Sequence, residues 1–115
     1  MPHSGQNVRF QVAVNGEVRG IAGLESLGVL TVVLDWVRRD PAAAPKQARR
    51  APGFREGDWI GNRVYVRLAG LDSATDQHVD WFGGELQAGD EVTVRVLPPG
   101  EFNPPVHRHS VQEIG

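Results

Sequence analysis

Acidic and histidine side chains are concentrated between residues 72 and 81, where three carboxylates accompany an imidazole and an indole. We interpret this stretch as a capped helical turn. Residues four apart stack along one side of a helix, so Asp72, Asp76 and Asp80 would form an acidic stripe. We therefore predict that these three carboxylates bind a partner, with simple solvation of the acids as the alternative. His78 beside two of these acids is the one candidate acid–base pair in an ordered element.

A second group of potential ligands is the run His107-Arg108-His109, followed by Glu113. On a strand, His107 and His109 would share a face, as a two-histidine metal site requires. The spacing is similar to the first metal motif of cupins. Cupin barrels carry a second histidine motif on later strands, whereas only two residues follow Glu113 here. We keep His107, His109 and Glu113 as candidate metal ligands, against the alternative of a polar, exposed tail without a cofactor.

Basic side chains dominate residues 38–58, which hold six Arg or Lys, three Asp or Glu and three prolines. A loop of this length within a compact domain is usually functional or disordered. Arginine binds phosphates and carboxylates alike, but a net charge of −2 favours an acidic protein over a nucleic acid as the partner. We predict that Arg49, Arg50 and Arg55 contact this protein partner, with a solvated, linker-like loop as the alternative.

Several functional classes are excluded or disfavoured by composition. The chain has no Cys, which removes disulfides, thiolate metal sites and thiol catalysis. It contains no Gly-rich phosphate loop and no nucleophile elbow. No apolar segment is long enough to cross a bilayer, and the first residues lack a signal peptide pattern. We expect a cytoplasmic protein without membrane or nucleic-acid partners, and more readily a binding protein than an enzyme.

Apolar residues alternate with a period of two, which predicts strands rather than helices. Residues 8–14 have the pattern of a half-buried strand. Residues 28–37 form the longest apolar run, and we expect this strand to lie inside a sheet with cover on both faces. As an alternative, exposed Val29, Val33 and Val37 would form the interface of a homodimer.

Turn residues and alternation predict the other strands. At Asn15-Gly16 we favour a three-residue loop that places Val12 opposite Val18, because this register opposes apolar residues to one another. A short edge strand is expected within residues 106–111. The inward-facing residues should be Val64, Val66 and Leu68 in one strand and Val92, Val94 and Val96 in another, with Arg63, Tyr65 and Arg67 facing outward.

These elements predict a single all-β domain over residues 1–115, an antiparallel β-sandwich or barrel. One short helix or helical turn is expected near residues 73–82, and an α+β fold is the alternative. Residues 1–6 should be frayed, and residues 98–115 form a Pro-rich tail.

Three short motifs, GLDS at residues 70–73, DxHxxW at residues 76–81 and GDEV at residues 89–92, span less than a third of the chain. They resemble a segment of small bacterial β-rich proteins of unassigned function. The resemblance implies a bacterial origin and brings no catalytic residues. Our hypothesis is a non-catalytic protein-binding module, such as an immunity or antitoxin protein that occludes its partner. The alternatives are a small metal- or ligand-binding barrel, which could be enzymatic, and a self-associating structural subunit.

Overall fold

The computed structural model describes residues 7–38 and 62–110. In these residues the chain forms seven strands and no helix, so the predicted all-β architecture is confirmed. No helix capable of spanning a membrane is found among them. The strands are β1 (Arg9–Val14), β2 (Glu17–Ala22), β3 (Gly28–Arg38), β4 (Asn62–Asp72), β5 (Gln77–Leu86), β6 (Val92–Leu97) and β7 (His107–Ser110).

The strands form two antiparallel sheets that pack against each other through β2. One sheet has the order β2-β1-β6 and the other β3-β4-β5-β7. Gly20 on β2 faces the other sheet, where a Cβ would be in ordinary van der Waals contact, 3.5 Å from Leu68 Cδ2 and 3.8 Å from Trp81 Cβ. The buried core between the sheets contains Val12, Ala22, Leu24, Val66, Leu68, Val79 and Trp81.

The β1–β2 hairpin differs from the predicted register. Asn15 and Gly16 form a two-residue turn with φ values of 52° and 81°, as the type I′ turn favoured by this dipeptide requires. Val12 then faces Gly20 rather than Val18, because the register shifts within the hairpin and leaves Arg19 unpaired. The predicted three-residue loop is therefore wrong. A β-bulge at Arg19 shifts the pairing by one residue in the direction opposite to the predicted loop, so Val12 pairs two residues beyond its predicted partner.

Among the described strands, β3 lies at the edge of its sheet and most of its residues are exposed, so the prediction that it lies inside a sheet with cover on both faces is wrong. It pairs with β4 alone among the described strands. Leu30 and Val32 pack partly against the core, but Leu34 is 60% exposed and Trp36 is 65% exposed on the same face. The described residues of the other sheet cover only the first half of the strand, and the apolar pattern continues beyond that cover.

The segment predicted as a helix near residues 73–82 is instead a turn followed by β5. Residues 73–76 form the turn, in which Ala74 N donates to Asp72 Oδ1 at 3.1 Å and Asp76 adopts a φ of 54°. Val79 and Trp81 are buried. Their two-residue spacing places both in the core when the segment is a strand, so burial outweighs the helix-capping signal.

β6 and β7 give mixed outcomes for the remaining predictions. Val94 pairs with Val12 and shares its face, yet Val94 is 45% exposed and Val96 is 65% exposed. Their predicted burial is therefore wrong, because the described part of the four-stranded sheet does not reach over β6. The predicted edge strand in the tail is confirmed as β7, which pairs with β5.

The segment before β7 fastens the two sheets together at Asn103. Its main-chain N donates to Ile21 O at 2.9 Å, and its Oδ1 accepts from Ile21 N at 2.8 Å. Trp81 Nε1 donates to Asn103 O at 2.7 Å. Asn103 therefore covers the outer edge of β2 while it anchors the buried indole of the opposite sheet.

Candidate functional site

The three predicted carboxylates do not form a stripe. Asp72 lies at the end of β4 and forms an ion pair of 3.5 Å with Arg108. Asp76 lies in the turn, and Asp80 points to the side of β5 opposite the buried Val79 and Trp81. The predicted stacking is wrong because it assumed a helix. Of the three, only Asp80 reaches the surface described next.

The candidate site is the face of the four-stranded sheet turned away from the three-stranded sheet, here called the outer face. It is formed by the odd-numbered residues of β3 and β4, since the even-numbered Val66 and Leu68 are buried on the other side. Strand pairing places His78 beside His109 and Asp80 beside His107 on this same face. All four strands of the sheet thus contribute to one surface.

Tyr65 forms the centre of the outer face, between two arginines of the same strand. The Cζ atom of Arg63 lies 4.7 Å from the centroid of its ring, and that of Arg67 lies 5.8 Å away. These are cation–π distances. The Tyr65 hydroxyl occupies the space above Gly83 on β5, where any Cβ would overlap it. Gly83 therefore lets the phenol ring lie across the sheet. Beside the same ring, the Nε atom of Arg63 is buried without a hydrogen-bond partner among the described residues.

A histidine pair borders the other end of the outer face. The rings of His78 and His109 are stacked, with centroids 5.2 Å apart and an interplanar angle of 27°. Within residues 7–38 and 62–110, no three His, Asp or Glu side chains are placed to hold a metal ion. Glu113 lies outside the described residues, so the metal set of His107, His109 and Glu113 stays a prediction.

Two shallow depressions cover the outer face. One, of about 470 Å³, is lined by Val29, Val33 and His78 among others. The second, of about 600 Å³, is lined by Tyr65, Gly83 and His107 among others. Arg67, Asp80 and His109 line both, so the depressions share one margin. Small molecules bind in enclosed pockets that cover most of their surface, whereas this open surface suits a macromolecule.

A separate polar cluster joins the turns at one end of the three-stranded sheet. The pKa of Asp90 is lowered because the main-chain N–H of Gln87 donates to its carboxylate, and because the Asn15 side chain donates as well. Asn15 also exchanges main-chain and side-chain hydrogen bonds with Glu91. This cluster docks the β1–β2 turn onto the start of β6, which is a structural role.

The sequence placed Arg63, Tyr65 and Arg67 outward without identifying them as a site. The available signal was the alternation Arg-x-Tyr-x-Arg along one face of a strand. The predicted contact residues Arg49, Arg50 and Arg55 lie outside the described residues. In comparisons with known proteins, no family model, curated protein or solved structure matches this chain. Its function is therefore inferred from the outer face itself.

Proposed function

We propose that this chain is a non-catalytic protein-binding module that covers an acidic partner with the outer face of its four-stranded sheet. An immunity- or antitoxin-like role in the bacterial cytoplasm is the specific form that we favour. The observation that carries the proposal is the Arg63–Tyr65–Arg67 row, whose guanidinium groups flank an aromatic ring.

The composition of this row is that of a protein interface. Tyrosine and arginine are enriched at the energetically dominant positions of such interfaces. Tyr65 already has its ring held across Gly83, so little side-chain entropy remains to be lost on binding. Val29 is 51% exposed and Val33 is 47% exposed beside the row, which adds apolar area to the polar contacts.

The charges of the row indicate what the partner presents. A guanidinium group binds a carboxylate in a bidentate manner, and neither Arg63 nor Arg67 forms an ion pair with a described residue. Arg67 also lies at the depression lined by Val33. We infer a partner surface on which a carboxylate stands next to an apolar side chain. Asp80 on the same face would orient the partner through complementary charge.

Charge reversal of Arg67 tests this proposal against a matched control. The partner is captured from native lysate on immobilised protein, identified, and then titrated against purified variants. We expect Arg67→Glu to weaken binding at least tenfold, because it repels the partner's carboxylate. Arg95→Glu changes the same charge on β6 of the other sheet, where Arg95 is exposed, and should bind as the wild type does. Equal affinity of both variants and the wild type would contradict the proposal.

Two further variants and an activity assay refine the proposal. Tyr65→Ala should weaken binding, because it removes the aromatic group at the centre of the surface. Reversal of Arg49 and Arg50 to Glu tests the predicted contribution of the basic loop. If the role is inhibitory, the captured partner should lose its own activity on binding the wild type and regain it with Arg67→Glu.

The metal-binding alternative rests on the stacked His78–His109 pair. It is tested by elemental analysis of untagged protein and by melting curves with and without a chelator. Stoichiometric metal, together with a lower melting temperature in chelator, would favour this alternative. Metal-free protein with an unchanged melting temperature would favour the binding module.

A further inference from the structure

β3 presents, at one edge of the four-stranded sheet, a row of main-chain groups that have no partner strand among the described residues. The carbonyl oxygen of Val29 lies against Gly70, and that of Leu71 lies against Gly28. The odd-numbered residues of β3 therefore direct their N–H and C=O groups toward β4. Because these directions alternate along a strand, the even-numbered residues direct theirs to the free edge. No described strand pairs with that edge.

Within the described residues, this edge lacks several of the features that usually prevent edge-to-edge pairing. Natural edge strands are short, bulged, or carry Pro or charged residues, especially Lys. β3 has 11 residues with neither Lys nor Pro, and its charged residues are only Asp35 and Arg38. Its pairing with β4 is continuous from Gly28 to Arg38. The edge of β2 is different, because Asn103 hydrogen-bonds to Ile21 there.

We propose that β3 pairs antiparallel with β3 of a second copy, about a two-fold axis through Val33, to form one continuous eight-stranded sheet. Val33 then faces the partner's Val33, and Val29 faces the partner's Val37. On the core-side face, Leu30 is opposite the partner's Trp36, and Val32 is opposite the partner's Leu34. The exposed Leu34 and Trp36 thereby gain apolar neighbours. This pairing is independent of the proposed binding function.

The sequence of β3 selects this register over its neighbours. A shift by one residue would place the even-numbered residues, whose main-chain groups point to the free edge, opposite odd-numbered residues of the partner, whose groups point to β4. Such a register cannot form the hydrogen-bond ladder between the two copies. A shift by two residues places Asp35 opposite the partner's Val29 or the partner's Val33. The register about Val33 instead places Asp35 opposite the polar side chain of the partner's Thr31, and it uses the whole strand.

The size of this contact indicates a reversible dimer. Six outward-directed residues in each copy (Gly28, Leu30, Val32, Leu34, Trp36 and Arg38) give about 12 inter-chain hydrogen bonds. An 11-residue strand is about 37 Å long and a sheet about 10 Å thick, so the edge buries roughly 400 Å² per copy. Exposed Leu34 and Trp36 add to this area. The total is at the lower end of specific interfaces, which predicts a dissociation constant on the order of micromolar.

Single cysteines test the register, because the chain has no Cys of its own. Val33 and its symmetry mate would be a non-hydrogen-bonded antiparallel pair, the closer of the two types. We expect Val33→Cys to oxidise to a disulfide-linked dimer. Asp35→Cys, on the same strand and face, faces the partner's Thr31 instead and should cross-link at least tenfold more slowly. Equal rates for the two variants, or no cross-linking of folded Val33→Cys, would overturn the proposal.

Sedimentation velocity over a range of concentrations tests the dimer without cross-linking. Val33→Lys places like charges opposite each other at the axis and should raise the dissociation constant at least about tenfold. Val94→Lys is the matched control, since Val94 is 45% exposed and Val33 47% exposed, each on the edge strand of its own sheet. It should dimerise as the wild type does.

Leu34→Pro removes an outward N–H without touching the hydrogen bonds to β4, and should also prevent dimerisation. Circular dichroism confirms that each variant is folded. A wild type that stays monomeric at about 1 mM would overturn the proposal. So would a Val94→Lys variant that is monomeric while the Val33→Lys variant remains a dimer.

Discussion

Leu68→Ala measures how firmly the two sheets pack together. Leu68 is fully buried on β4, and its Cδ2 lies 3.5 Å from the Cβ position of Gly20 on the opposite sheet. Removal of three carbons costs about 2.4 kcal/mol in lost burial, at about 0.8 kcal/mol for each. Gly20 has no side chain that could move into the space, so a cavity remains. We therefore expect a loss of about 3–4 kcal/mol in the free energy of unfolding.

A compensating change at Gly20 sharpens this test. Ala at position 20 makes an ordinary contact with Leu68 and stiffens the unfolded chain, so alone it should be neutral or stabilise by up to about 1 kcal/mol. In the Leu68→Ala background its methyl group fills part of the cavity, and the two changes should couple by about 0.5–1 kcal/mol.

The assay is equilibrium denaturation in guanidinium chloride, followed by the fluorescence of the tryptophans, of which Trp81 is buried at 6% exposure. Leu27→Ala is the control, because Leu27 is 60% exposed and should lose less than about 0.5 kcal/mol. If Leu68→Ala lost no more than Leu27→Ala, the packing of β4 against β2 would be wrong.

Three further predictions concern the parts that hold the sheets in place. Gly23→Ala should lower the free energy of unfolding by about 1–3 kcal/mol, because a Cβ there overlaps the Phe102 ring. Denaturation curves check this, and the double variant with Phe102→Leu should recover stability. Asn103→Ala should lower the free energy of unfolding by about 1 kcal/mol, because the side-chain hydrogen bond with Ile21 is lost. The shift of the midpoint in urea denaturation measures this loss. Asp90 has a pKa lowered below 3.8 in the folded chain, so its stabilising effect is present above that pH and is lost as the pH falls through the folded value. Melting temperatures of Asp90→Asn and wild type should therefore differ at pH 6 and converge in acid; a constant difference would contradict this.

Alternation along the chain predicted the β-class and the faces of β4 correctly, but it could not show what covers each face. The side-chain period states which residues share a face, as for Val12 and Val94 in neighbouring strands. Whether that face is buried depends on how far the opposite sheet extends. Val94 and Leu34 fit the inward pattern and are nevertheless exposed.

Local signals failed where contacts distant in sequence decide the structure. The capping pattern near Asp72 suggested a helix, yet burial of Val79 and Trp81 between sheets requires a strand. The bulge at Arg19 is stabilised by pairing across the hairpin and leaves no signal in either strand alone. The outer face could be predicted only in part, because it too depends on contacts between residues distant in sequence. His78 and His109 meet because β7 pairs with β5, an arrangement that spacing along the chain does not reveal.

Hydroxyl-radical footprinting of the chain, alone and bound to its captured partner, tests the outer face most directly. This method reports the solvent exposure of individual side chains and so distinguishes the two faces of one sheet. We predict that Tyr65 and His78 become protected on binding, whereas Trp36, on the opposite face and 65% exposed in the free chain, keeps its reactivity. Protection of Trp36 with unchanged reactivity of Tyr65 would contradict a binding surface on the outer face.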